Sequence, residues 1–185
     1  MDALEALHTR TSVPKLTDPA PDGECLENIC RAAFRAADHG VMRPWRFLLI
    51  RGKARQKLGD LFAEAAEHKD PSLDAASLER TRQKPLRAPL IIVTISCHQK
   101  SPKVPEIEQD LSAAAATQNM LLAAFAQDVG AFWRTGSMAY DPVVRNGLGL
   151  SDNEHVIGFL YLGQKAGASK RLADPDVSEY FRNWT

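Results

Sequence analysis

Asp110–Gly130, DLSAAAATQNMLLAAFAQDVG, is the stretch on which the fold turns. Leu111, Ala115, Gln118, Leu122, Phe125 and Val129 recur at steps of three or four, the spacing of one helix face. The opposite face carries Ser112, Ala116, Asn119, Ala123 and Ala126, small side chains where a surface helix would carry charges. The segment therefore reads as a long helix buried on two sides, once against its own sheet and once against a second surface. Small residues let another backbone approach closely. That leaves two readings of the second surface, another subunit or the interior of a monomer. It is not a membrane span, because Ser112, Thr117, Gln118 and Asn119 interrupt the apolar run well short of about 18 residues.

Around this helix, 185 residues suit one domain, residues 1–185, with chain enough for a core that needs neither metal nor disulfide. A formal net charge of +0 argues against a basic nucleic-acid face. Cys25, Cys30 and Cys97 are an odd count without C-x-x-C spacing, as expected of free thiols in a reducing compartment. No N-terminal apolar segment resembles a signal peptide, so cytoplasm is the expected location.

Immediately upstream, Ser101–Pro105 is a loop that delivers the chain to the helix, with Pro105 suited to its first position and Glu106, Glu108 and Asp110 to its positive end. Before it, Pro89–Cys97 (PLIIVTISC) is wholly apolar and so a central strand. Arg46–Arg51 (RFLLIR) is another strand. Between them, helices are expected over Gly52–Lys69 and Asp74–Gln83, with charges that solvated faces explain. Nearer the N-terminus, helices are expected over 2–9 and 23–37. Downstream lie a short strand opening GAFWRTG (130–136), a short helix over 141–149, a strand HVIGFLYLG (155–163), and an irregular tail ending in Tyr180, Phe181 and Trp184.

Chemistry-bearing residues cluster at element ends. Arg10, Thr11 and Ser12 follow the first helix, where Pro14 stops it; a cation and two hydroxyls there form an anion pocket or an ordinary helix cap. Arg35 closes the second helix, where a cation also complements the dipole. His39 lies in the loop ADHGVMRPW (37–45). Trp133, Arg134 and Thr135 end a strand between glycines that allow close backbone approach. His39, His68, His98 and His155 are scattered without an i, i+4 pair, so no metal site is expected from spacing. Nucleophile elbow, Walker loop and dinucleotide-binding glycine fingerprint are all missing. A dispersed set of cations, hydroxyls and an aromatic suits a large anionic, partly aromatic ligand.

The ordered set RTS (10–12), AADHGVMRPW (36–45), GAFWRTG (130–136) and GFLYLG (158–163) resembles the nitroreductase family, and within it the minimal-length bacterial NAD(P)H nitroreductases. The resemblance spans nearly the whole chain. It implies an α+β fold with a mainly antiparallel sheet flanked by helices, and an obligate homodimer whose long helices pack across the dimer axis. It also implies FMN at the subunit interface. NAD(P)H would be the reductant and a nitroaromatic or quinone-like small molecule the acceptor, in ping-pong hydride transfer, with no catalytic side chain beyond those that hold the flavin. Carried over residue by residue, Arg10, Thr11 and Ser12 match the phosphate and ribityl segment. Arg35 and His39 match positions that reach the flavin, His39 from the other subunit, and Trp133, Arg134 and Thr135 match the segment along the flavin. Ala123, Ala124, Phe125, Ala126, Gln127 and Asp128 match a nicotinamide segment. The chain departs from longer members at Val41, Arg43 and Pro14, the last compensated by Lys15 or by Lys170 and Arg171. Those departures bear on the acceptor more than on FMN. An FMN-binding carrier without turnover remains the alternative to an enzyme; nucleic acid and membrane are not expected partners.

Overall fold

Leu90–Cys97 (β3) is the spine of the sheet. In the computed structural model, which describes residues 1–167 and 172–185, it lies between β2 (Trp45–Arg51) and β5 (Glu154–Lys165). Ile91 sits opposite Ile50 on one side and Tyr161 on the other. β4 (Gly130–Arg134) takes the other edge of β5 over Phe159–Gly163, and β1 (Leu16–Thr17) pairs with its last two residues. Every pairing is antiparallel.

Alternation along β3 feeds two cores, because successive side chains of a strand point to opposite faces. Ile91, Val93 and Ile95 join Phe159 and Tyr161 under α3 (Lys53–Lys69), α6 (Ser137–Tyr140) and α7 (Pro142–Gly147). Leu90 and Ile92 join Leu160 and Leu162 under α2 (Gly23–Ala33) and α5 (Glu106–Ala126). α1 (Ala3–Thr9) leans on α5, and α4 (Ala75–Arg82) on α3. The result is an α+β fold, an antiparallel sheet flanked by helices on both faces.

The long helix differs from expectation in extent and orientation. It starts at Glu106, with Pro105 as the extended N-cap rather than the first helical residue. It stops at Ala126, because Asp128 takes a positive φ of 62° and the Val129 N–H returns to the Ala124 carbonyl at 2.9 Å. Val129 is therefore not on its face. Ser112 and Ala116 point into their own subunit; Ala116 is 0% exposed between Met120, Leu90 and Ile92. Their smallness brings the helix close to its own sheet, where the Thr117 hydroxyl meets that of Thr94 at 2.9 Å. The face left open is that of Ile107 and Leu111, 62% and 61% exposed.

Other corrections are local. α2 ends at Ala33, four residues early, as Phe34, Arg35 and Ala36 donate to carbonyls three residues back. β1 and the single turn α6 were not expected; neither is long enough to show a period. β5 continues to Lys165. Tyr180, Phe181 and Trp184 stand exposed, and Lys170 and Arg171 lie outside the described residues.

Candidate functional site

The site is built at the end of β4. Alternation sends Ala131 and Trp133 toward the α5 side, and Phe132 toward the α3 side. Arg134 follows Phe132: its guanidinium lies 4.1 Å above the Phe132 ring and 5.4 Å from that of Tyr161. A cavity of about 430 Å³ opens there, within the usual range for small-molecule sites of about 300–1,000 Å³. Phe62, Phe132 and Tyr161 form apolar walls. Lys84 and Arg87, from a 3₁₀ turn before β3, and the Arg134–Ser137 strand end form the polar ones.

Among the described residues, three cations and no carboxylate line this cavity. Burial holds the Arg134 guanidinium below its ordinary pKa, and nearby Arg87 adds to the effect. Burial pushes the Tyr161 hydroxyl up to about 12, so it stays neutral. The Nε atom of Arg134 and the indole N–H of Trp133 are buried without a hydrogen-bond partner among the described residues. Buried donors normally find partners; of these two side chains only Arg134 lies on the cavity side, so its guanidinium is what this strand end offers an anionic ligand. Gly136, at φ 80°, holds a conformation that disfavours side chains.

The segment Arg10–Val13 runs alongside. The Val13 N–H donates to the Ala131 carbonyl at 2.9 Å, and Val13 packs into the α3-side core. Arg10, Thr11 and Ser12 are half-buried beside β4, with Arg10 Nη1 a long 3.5 Å from Ser12 Oγ. Arg10–Ser12 thus lead into the residue that bonds β4, but none of the three lines the cavity, and the Trp133 side chain faces the opposite side of the sheet from Arg134.

Arg35 and His39 are elsewhere. Arg35 lies exposed past α2, bordering an apolar groove of about 570 Å³ formed with α1 and α5. His39 Nδ1 contacts Glu108 of α5 at 2.6 Å. Within one chain neither reaches the β4 cavity. The Ala123–Asp128 segment is also on the α5 side. Ala124 is wholly buried, Gln127 bonds Asn28 and the Cys25 carbonyl, and Asp128 pairs with Lys165 at 2.6 Å. Lys165 in turn sits 5.3 Å from the Phe125 ring, and Ala123 and Ala126 border the groove. The loop bearing His39 is strained: Val41 and Arg43 take φ of 54° and 47°, rare for any side chain and more so for a branched one.

Lys84 and Arg87 were missed from sequence, where they extend a charged helix. The available signal was Pro85, which ends that helix just before the central strand and leaves two cations at the strand's entrance.

Known proteins agree with this architecture. The sequence profile of the nitroreductase family matches residues 7–164. "Putative NAD(P)H nitroreductase YdjA" of Escherichia coli (strain K12) is 41% identical over 178 residues, 95% of this chain and 96% of that protein. A "Putative NAD(P)H nitroreductase" of Haemophilus influenzae is 36% identical, covering 94% of this chain and 96% of that one. Among solved structures, a nitroreductase-like family protein from Bacillus cereus superposes with a TM-score of 0.86 at 23% identity, covering 99% of this chain and 96% of that one. A nitroreductase with bound FMN from Bacteroides fragilis superposes at 0.75 and 23% identity, covering 99% and 100%. Profile, relatives and sheet order converge: the chain belongs to the nitroreductase family.

Proposed function

We propose that the protein is an FMN-dependent oxidoreductase that takes hydride from NAD(P)H and reduces a nitroaromatic or quinone-like acceptor, each substrate using the same cavity in turn. One observation carries the reading: in a nitroreductase-family chain, the β4 end holds a cavity that, among the described residues, has three cations and no carboxylate, with aromatic walls and an unpartnered buried guanidinium nitrogen. The donor set fits FMN, an anion attached to a planar aromatic ring. When bound, FMN supplies reversible hydride exchange, which no side chain offers.

The chain's own task is holding and orienting. Arg10 and Ser12 hold the phosphate by charge-assisted hydrogen bonds. Lys84, Arg87 and Arg134 place positive potential along the cavity, favouring electron-rich states of whatever it holds. Phe62, Phe132 and Tyr161 would shield a bound ring from water, and the exposed Thr135–Gly136 backbone would offer it hydrogen-bonding groups. No general acid or base is needed, only alignment of donor and acceptor atoms.

Arg35, His39 and the Ala123–Asp128 nicotinamide segment require a second chain, because they border the α5 side rather than the β4 cavity. The proposal therefore includes a homodimer with FMN between subunits. The free thiols Cys25, Cys30 and Cys97 suit a reducing cytoplasm; no described helix is long and apolar enough to cross a membrane.

The purified protein is expected to be yellow, to release FMN on heating, and to bleach anaerobically with NADH or NADPH, its colour returning when a nitroaromatic or quinone is added. A yellow protein that neither nicotinamide bleaches would be a carrier, and FAD in place of FMN would refute the cofactor.

A further inference from the structure

At the end of β5 remote from the β4 pairing, three side chains converge that the flavin site leaves unused. His98 follows β3, His155 is the second residue of β5, and Asp110 lies near the start of α5. Each offers a ligand atom within 4.8 Å of the other two. The His98 side chain is only 6% exposed; its Nε2 is 2.7 Å from Asp110 and its Nδ1 3.5 Å from Glu106. Its ring stands edge-on to that of His155 at 4.5 Å. The backbone is fixed: the His98 N–H donates to the Asn153 carbonyl at 2.8 Å, and Asn153 Nδ2 donates to the His98 carbonyl at 2.7 Å.

We propose that His98, His155 and Asp110 bind a divalent transition-metal ion of the zinc class. Two imidazoles and a carboxylate are the donors such ions prefer, whereas calcium and magnesium favour oxygen alone. At zinc–ligand bonds of about 2.0–2.2 Å, tetrahedral ligand atoms stand about 3.3–3.5 Å apart. The present spacings need shifts of side chains only. With His98 Nε2 on the metal, its Nδ1–H points to the Glu106 carboxylate, the outer partner that fixes a ligating imidazole's tautomer and orientation. Asp110 and His155 also line a cavity of about 410 Å³ with Tyr140 and Arg145. A water or small anion drawn there by Arg145 completes the shell. The ion ties β3, β5 and α5 together. His155 lies four residues along β5 from Phe159, the nearest β5 residue of the flavin cavity, about 13 Å at strand rise, and the two cavities share no lining residue, so the sites are distinct.

The test uses holoprotein stripped of metal with chelator, titrated with Zn²⁺ by calorimetry and with Co²⁺ by its visible bands beyond the flavin absorption. One saturable ion per chain with a tetrahedral Co²⁺ spectrum is expected. His155→Gln and Asp110→Ala are expected to abolish it, while Glu106→Gln keeps the stoichiometry and weakens binding about 10–100-fold. His8→Gln and His68→Gln should leave it unchanged. No saturable binding by the wild type, or equal binding by a folded, flavin-loaded His155→Gln protein, overturns the proposal.

Discussion

On the α3 side of the sheet, Phe62 and Phe159 meet edge to face at 5.3 Å beneath a helix whose apolar residues are covered, and the adjoining cavity carries Lys84, Arg87 and Arg134. On the α5 side the core beneath the helix is as tight, but its outer surface is not finished. Ile107, Leu111, Leu4 and Leu7 are more than half exposed. Large apolar side chains exposed on both α1 and α5 suit a face that another surface covers. Arg35, His39 and the strained loop at Val41 stand on that same side. On the proposed reading, one chain makes a ligand cavity on one face and offers Arg35 and His39 on the other, where they would serve a neighbour's cavity.

The largest expected effect tests the unfinished face. Leu111→Arg should place a charge in a dry interface, at a cost of several kcal/mol to association. Dimer and flavin should be lost together, read by analytical ultracentrifugation at the flavin band. A wild-type monomer with stoichiometric FMN would refute the comparison, and so would a Leu111→Arg monomer that stays yellow. Ala116→Arg is no substitute, because Ala116 is buried within its own subunit and the change should prevent folding.

A property of the single chain serves as the control. Glu154 lies 8% exposed and accepts from Arg46 at 2.5 and 2.7 Å. The Arg46 bond, with help from the Ser151 N–H and the Cys97 thiol, holds the Glu154 carboxyl at about 2, below its ordinary 4.5. A depressed carboxylate stabilises the fold above its unfolded pKa and loses that contribution as pH falls through its folded one. About 3 kcal/mol should therefore disappear between pH 4.5 and about 2. Urea unfolding across that window should show the slope in wild type and lose much of it in Arg46→Gln. The slope should survive in a Leu111→Arg monomer, since both partners belong to one chain.

The cavity face is sharpened by comparing ligands. Arg10→Ala should weaken FMN by about 1.5–3 kcal/mol, the worth of a hydrogen bond to a charged group, and riboflavin much less. Arg134→Ala, which lines the aromatic part of the cavity, should weaken both. Equal losses of FMN and riboflavin in Arg10→Ala would move the phosphate elsewhere.

These assignments divide by what sequence can carry. Pro89–Cys97 and His155–Gly163 announce central strands because an unbroken apolar run has few other homes. The side of α5 that meets the sheet was not legible: smallness at Ser112 and Ala116 suits a close sheet as well as a close subunit. Lys84 and Arg87 were hidden in a charged stretch, and only the antiparallel register through β5 brings the entrance of β3 beside β4. The same register joins His98 to His155, which no local spacing could reveal. The Trp133–Thr135 strand end, which lines the cavity, was legible because it sits at an abrupt element end between glycines; Arg10–Ser12, picked out by the same signal, do not line it.

The smallest stability effect gives the sharpest test. His39 and Glu108 are a surface pair, 55% and 43% exposed, worth no more than about 1 kcal/mol to the fold. His39→Ala should barely alter the melting of apoprotein, yet weaken FMN. If the cavity takes Arg10 from one chain and His39 from the other, the two defects complement. In a mixed dimer of Arg10→Ala and His39→Ala chains, one site collects both substitutions and the other neither. Co-refolding the two at equal amounts should then restore about a quarter of the sites to wild-type affinity, since half the dimers are mixed and each has one intact site. If both residues served the same chain's cavity, every site would keep one defect and no high-affinity fraction would appear. FMN titration of the refolded mixture, followed by quenching of flavin fluorescence, separates the two cases without any structure of the dimer.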